Sequence, residues 1–400
     1  MKRYIKVIRV LTVLLFLVAV FGICLLTLCS AGSAYLKGEE ESYSIFENRN
    51  LEPVPEFTST ALFDGSYFKG WDNWFSDHVA GRNTMLRAYT ALNMNVLQKP
   101  VVNDVYIGDG VLLPYQQREA VDREAIFAAA GQMADNLQKL QEKIESYGGI
   151  FVYVGIPEQS SMLRDSYPGY LVNNAEKLAL SEQAFFSALE ERGVSYVNMN
   201  EYFRETEDPA FYYSKVDHHF NMNGAEYTYQ VVLDLLAQRV EGMDLAQPVA
   251  LTELPNRYYG SRNRKLYDVY PNTEHAIIAD EPVAYTRYDN GEQTASALYE
   301  SAPDESTPVT YGLYMHGDIA ETVVDTGREE LPEILIFGDS FTNPLEALFY
   351  RNFDKMRSLD LRHYGEMSLS EYVEKYQPDV VLCVRDDTQY LNAEYNGVFE

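Results

Sequence analysis

Leu335-Ile336-Phe337-Gly338-Asp339-Ser340-Phe341-Thr342-Asn343-Pro344 reads as a strand, a turn and the start of a helix. The apolar run from Ile334 to Phe337 has the length and content of a buried strand. Gly338-Asp339-Ser340 turns the chain. Pro344 suits the first turn of a helix, and Asn343 before it is the expected N-cap. Leu345, Leu348 and Phe349 follow at helical spacing. Ser340 is therefore expected in a strand-to-helix turn at the carboxyl edge of a sheet, close to a positive helix end. α/β folds keep reactive groups there.

Working outward, helix and strand patterns alternate. Ile126, Ala130, Met133, Leu137, Leu140 and Ile144 mark one face of a helix over 120–147, which Gly148-Gly149 ends. Ile150 to Ile156 is a strand, 178–192 a helix and Val194 to Val197 a short strand. Asp217-His218-His219 precedes a helix from Asn223 to about Val240. After Ser340 come a strand from Met356 to Leu361, a helix from Leu369 to Tyr376 and a buried strand from Val380 to Val384. This alternation indicates an α/β sheet. Residues 246–330 break the rhythm and are expected to form an irregular insertion, with short strands or loops, over the sheet edge.

The first residues differ in kind. Lys2, Arg3, Lys6 and Arg9 precede an uncharged run from Val10 to Cys29, long enough to cross a bilayer as a helix. The cationic start places the N-terminus in the cytoplasm and the rest outside. Residues 1–34 thus read as a cytoplasmic tail and signal anchor at the cell membrane, with a cleaved signal peptide as the rival. Residues 35–60, with Glu39-Glu40-Glu41 and Pro53-Val54-Pro55, read as a stalk. Phe68, Trp71, Trp74 and Phe75 then suit an amphipathic helix within the extracytoplasmic domain, 61–400.

The formal net charge of −28 argues against nucleic acid as a partner. Three cysteines, two of them in the apolar run, leave Cys383 alone in the folded part, so neither a disulfide framework nor a zinc cluster is expected there. No cofactor is implied. The 32 tyrosines serve either to stack on sugar rings or to pack strands.

A serine hydroxyl needs an imidazole to take its proton and a carboxylate to orient that imidazole. Asp217-His218-His219 supplies both. In an extended segment Asp217 and His219 point one way and His218 the other. Asp217 then orients His219, and His219 addresses Ser340. Asp339 reads as a turn former rather than the orienting acid.

These motifs resemble the SGNH hydrolases, with Asp217 and His219 ahead of Ser340 instead of behind it. That order resembles the circularly permuted branch of the alginate O-acetyltransferases AlgX and AlgJ, and most of all the DHHW family. Glu47-Asn48-Arg49, Asp77 to Arg82, Asp217 to Phe220 with Gly224-Ala225, Tyr259-Gly260-Ser261, Leu335 to Asn343 and Asp360 to Tyr364 carry the resemblance. The family's tryptophan is Phe220 here.

The resemblance implies a flavodoxin-like three-layer sandwich with a mainly parallel sheet, circularly permuted. It implies a Ser340–His219–Asp217 triad that transfers an acyl group to, or removes one from, a cell-surface polysaccharide. A membrane acyl-donor enzyme is the expected partner. Oxyanion donors are sought at the Ser340 N–H, Asn343, Arg362 and Arg385. Two other readings stand beside this one: a non-catalytic glycan-binding or assembly protein on the same fold, and a metal-dependent phosphoesterase using Asp-His-His.

Overall fold

The computed structural model describes residues 2–38, 42–240 and 249–400. Glu39-Glu40-Glu41 of the expected stalk, and residues 246–248 of the expected insertion, lie outside the described residues. The chain forms two compact units, residues 1–103 with 264–271 and residues 104–263 with 272–400.

The larger unit is built on an eight-stranded sheet. Its strands in chain order are β1 (Ile150–Ile156), β2 (Tyr196–Asn198), β3 (Thr286–Asp289), β4 (Glu292–Thr294), β5 (Glu321–Asp325), β6 (Ile334–Gly338), β7 (Lys355–Leu359) and β8 (Val380–Asp386). Across the sheet the order is β4-β3-β5-β7-β6-β8-β1-β2. The five strands from β7 to β2 run parallel, and β5, β3 and β4 add an antiparallel edge. Helices α1 (Arg123–Glu145), α2 (Ala175–Glu191), α3 (Met222–Ala237), α4 (Thr342–Phe349) and α5 (Leu369–Tyr376) cover it.

Burial explains the pattern. β6 and β8 are buried along their whole length, as central parallel strands covered on both faces must be. The apolar stripe of α1 packs with Phe185 and Leu189 of α2, Tyr372 of α5, and Phe151, Leu335, Phe337 and Val381 of the strands. The alternate residues Ile334 and Ile336 point to the other face, where α4 packs on β6 and β7. α3 lies beside α4, with Tyr229 against Phe349. This is the expected α/β sandwich of SGNH type, with a mixed sheet.

Two local expectations change. The segment read as an insertion supplies β3, β4 and β5, so it extends the sheet rather than lying over it. These three strands are three to five residues long and mix polar with apolar residues, which leaves no long apolar run to read. Helix α4 also starts at Thr342, one residue before the expected cap Asn343. Asp339 serves that turn instead. Its carboxylate accepts the Phe341 N–H at 3.2 Å, and its carbonyl accepts the Thr342 N–H at 3.0 Å.

The smaller unit contains the apolar helix Lys2–Lys37, and both the expected stalk and the aromatic helix after it. The stalk region forms a short hairpin, Tyr43–Ser44 with Arg49–Asn50. Helices Ser59–Asp64, Ser66–His78 and Arg82–Ala91 follow. The motif residues form ion pairs. Arg49 grips Asp77 with both terminal nitrogens, and Arg82 reaches Glu47. Among the described residues, one helix is long and apolar enough to cross a membrane, over residues 6–37.

At the end of β6 the backbone runs against β8. A Cβ on Gly338 would lie 1.8 Å from the Val384 carbonyl oxygen. Gly338→Ala is therefore expected to destabilise the protein by about 3 kcal/mol or more. Urea unfolding measures this, and an unchanged midpoint would contradict the account.

Candidate active site

Asp217, His218 and His219 sit in a bend rather than a strand, closed at its ends by a bridge between Tyr213 and Phe220. The bend exists because the chain curls over the Asp217 carboxylate. Asp217 Oδ1 accepts the His218 N–H at 2.7 Å and the His219 N–H at 3.2 Å. His218 is therefore not turned away, as an extended segment would require. Its ring lies 3.7 Å from that of His219, and its Nδ1 is 2.9 Å from Ser261 Oγ.

A third segment completes the support. A Cβ on Gly260 would lie 2.4 Å from the Val216 carbonyl oxygen, so only glycine lets this backbone approach. The approach delivers the Ser261 N–H to Asp217 Oδ2 at 2.6 Å. After the bend, Asn221 caps α3 by accepting the Asn223 and Gly224 N–H groups.

The structure brings the three sequence-derived residues into line. His219 Nδ1 is 2.7 Å from Asp217 Oδ1, and His219 Nε2 is 2.8 Å from Ser340 Oγ. The His219 ring is clamped. Tyr311 stacks on it at 3.5 Å and 7°, and Phe341 packs at 4.8 Å. The Tyr311 hydroxyl donates to the Ser340 carbonyl at 2.9 Å. Phe220, at the family's tryptophan position, is buried edge-on to Phe341, the residue after the serine.

Charge is arranged around this line. Burial works to raise the Asp217 pKa, but the two imidazoles, His218 first, outweigh it and hold the carboxyl well below the usual range. Burial, then the charge of His218, pushes His219 down to about 3 against the pull of Asp217. Burial also opposes a proton on His218, but Asp217 outweighs it and raises that imidazole. His219 is thus neutral at physiological pH, with Nδ1–H donating to Asp217 and the Nε2 lone pair facing Ser340. A general base must start in that state.

Behind the nucleophile turn lie buried acids. Asp339 Oδ2 accepts the Asp386 N–H at 2.8 Å, and burial raises both carboxyls. Burial, helped by the charge of Asp386, lifts Asp387 to about 8. Ser340 opens into a cleft of about 440 Å³, bordered by Glu158, His218, Arg362, Asn392 and Asn396 among others.

The three side chains expected as oxyanion donors fall in different places. Asn343 is buried and donates its amide to Asp318 at 3.2 Å. Arg385 is buried and donates Nη1 to the Asn392 carbonyl at 2.8 Å. Arg362 borders the Ser340 cleft, and its Nε and Nη2 are held by Asp360 and Asp318. Among the described residues, neither Arg362 Nη1 nor the Ser340 N–H has a hydrogen-bond partner.

Sequence reading gave no role to Tyr311, Ser261, Asp318 or Asp360. Tyr311 lies in a segment without periodicity and left no signal. Ser261 stood in the Tyr259-Gly260-Ser261 motif, where the glycine hints at a close backbone approach.

Asp217, His218 and His219 place ligand-type atoms within 4.8 Å of one another, as a metal site would. The donor set does not fit one. Asp217 accepts three backbone N–H groups and one imidazole, and both nitrogens of His219 are engaged.

Residues 114–309 match the family model described as the SGNH hydrolase-like domain of the acetyltransferase AlgX. The matched range holds Asp217 and His219 and stops short of Ser340. Among solved structures, Bacillus cereus PatB1 aligns with a TM-score of 0.60 at 20% identity, over 74% of this chain and 99% of that one. PatB1 with a sulfonyl adduct aligns at 0.59 and 19%, over 74% and 97%. A DHHW family protein from Eubacterium siraeum DSM 15702 aligns at 0.56 and 16%, over 74% and 95%. At these identities the likeness is one of fold. No curated protein matches the chain. The fold is SGNH hydrolase-like, and residues 114–309 are similar to the SGNH hydrolase-like domain of the acetyltransferase AlgX, in line with the resemblance read from the motifs.

The electrostatic order makes a pH prediction. In ring-resonance NMR titration, His219 should stay neutral to well below its ordinary pKa, while His218 keeps its proton above the ordinary value. In His218→Gln the His219 pKa should rise, because a neighbouring positive charge is gone. A His219 that titrates at the same pH in wild type and variant would refute the assignment.

Proposed function

Given an SGNH hydrolase-like fold and the similarity of residues 114–309 to the acetyltransferase AlgX domain, we propose a serine-dependent O-acyltransferase, anchored in the cell membrane, that acts on a cell-surface polysaccharide. One observation carries the reading: the continuous line from Asp217 through His219 to Ser340, with contacts of 2.7 and 2.8 Å. Ser340 Oγ attacks the acyl carbonyl as His219 Nε2 takes its proton. Asp217 holds the ring and stabilises the imidazolium. The proton then passes to the leaving group, and an acyl-Ser340 ester remains. An acceptor hydroxyl enters, gives its proton to His219 and takes the acyl group, and His219 returns the proton to the departing Ser340 Oγ. With water as acceptor the same cycle is an esterase.

The oxyanion of each tetrahedral intermediate needs donors fixed in advance. The unpartnered Ser340 N–H and Arg362 Nη1 fit that role. Asp360 and Asp318 orient the Arg362 guanidinium as a positioning pair. Asn343 and Arg385 spend their hydrogen bonds elsewhere. The polar, open cleft suits a hydroxyl-rich acceptor. The apolar helix over residues 6–37, with Arg9 and other cations of the sequence at its N-terminal end, supports an anchor with the larger unit outside. A membrane acyl-donor enzyme remains the proposed source of the acyl group.

Ser340 should be labelled by a fluorophosphonate probe, and labelling should vanish in His219→Ala. Ser340→Ala should cut acyl transfer by about 10³-fold or more with the fold intact. A folded Ser340→Ala protein with full biological activity would favour the non-catalytic reading. Arg362→Ala should lower kcat by about 10²–10³-fold with little change in KM, read from steady-state kinetics with an acetyl ester.

A further inference from the structure

The helix Arg82–Ala91, which continues into a wider turn at Leu92–Val96, is amphipathic the wrong way round for water. Met85, Tyr89, Leu92 and Val96 fall at helical spacing of four, three and four residues, on one face. They are 49%, 58%, 47% and 70% exposed. Thr90 and Asn93 are buried instead, with hydrogen bonds to Asn103 and to the Tyr89 carbonyl. A surface helix in water shows the opposite arrangement. A helix lying against hydrocarbon shows this one.

A second observation fixes where that helix begins. Thr27, buried in the apolar helix, accepts the Ala80 N–H at 3.0 Å, two residues before Arg82. Thr27 lies 18 residues beyond Arg9, or about 27 Å along a helix axis. A bilayer's hydrocarbon layer is about 30 Å thick. If Arg9 marks the inner boundary, Thr27 and Ala80 lie at the outer one. The same junction encloses a cleft of about 810 Å³ between Ser30, Ala34 and Tyr35 of the apolar helix and Trp74 and His78 of the helix Ser66–His78.

We propose that the helix Arg82–Val96 is a second membrane contact, with Met85, Tyr89, Leu92 and Val96 seated in the outer leaflet beside the anchor. The occupant of this face is lipid. The proposal rests on the anchor reading above. Its consequence is mechanical: two points of attachment restrain the small unit against the bilayer, where a single helix would leave it free to swivel.

The test uses the full chain, reconstituted in phosphatidylethanolamine–phosphatidylglycerol vesicles. Some of the phospholipid carries a nitroxide quencher near the glycerol end of one acyl chain. A bimane probe is placed at Val96→Cys, and separately at Tyr89→Cys, with Cys24 and Cys29 changed to alanine. A third sample carries the probe on native Cys24, in Cys29→Ala. The expected result is about twofold loss of emission at residues 89 and 96, with quenching at Cys24 as well. Quenching at Cys24 alone, with iodide reaching residue 96 from the water, overturns the docking proposal and keeps the anchor. Quenching at Cys24 while residue 96 is reached by neither quencher also overturns it, because protein then covers the stripe. No quenching at Cys24 removes the anchor, and the proposal with it.

Discussion

A buried carboxylate has to be satisfied, and the site is shaped by how this is done for Asp217. An isolated charge in that position would cost several kcal/mol. Three backbone N–H groups and the His219 N–H, with the His218 imidazole 3.2 Å away, offset the cost. Two of those donors are the next two residues, so the chain must bend at Asp217. A third comes from Ser261, so the Gly260 backbone must lie against Val216. The fourth is the ring of His219, which fixes both its orientation and its tautomer. One solvation problem thus sets the bend, the close approach of a distant segment and the direction of a base.

The second constraint lies at the end of β6. Gly338 permits β6 and β8 to meet without a side chain between them. The turn that follows then uses Asp339 twice, for the Phe341 N–H and for the Asp386 N–H at the end of β8. The nucleophile turn is thereby tied to the neighbouring strand as well as to its own helix. Burial pushes the carboxyls of Asp339, Asp386 and Asp387, behind the serine, up from the usual range.

His219 illustrates how packing and charge cooperate. Tyr311, Phe341 and His218 surround its ring. Removing water from it disfavours the protonated form, and the Asp217 carboxylate restores part of that loss. Tyr311 also reaches the Ser340 backbone, so a single aromatic side chain spans base and nucleophile turn. The Phe220–Phe341 contact links the same two segments from the other side.

The sequence by itself determined the strand–turn–helix at Ser340, the α/β alternation, the apolar N-terminal helix and the pairing of Asp217 with His219. Each rests on local signals: apolar runs, helical spacing, a glycine, or two residues of separation. Tertiary structure decided the rest. It placed Ser340 against a histidine 121 residues away, a distance in the chain that no local pattern encodes. It turned the supposedly extended Asp-His-His into a bend, because the carboxylate's unsatisfied oxygens outweigh strand preference once buried. It made sheet strands of Thr286–Asp289, Glu292–Thr294 and Glu321–Asp325, whose short, mostly polar sequences gain stability only from a neighbour. It gave Tyr311, Ser261 and Asp318 their partners for the same reason: a lone polar or aromatic residue carries no signal until the fold supplies what it touches.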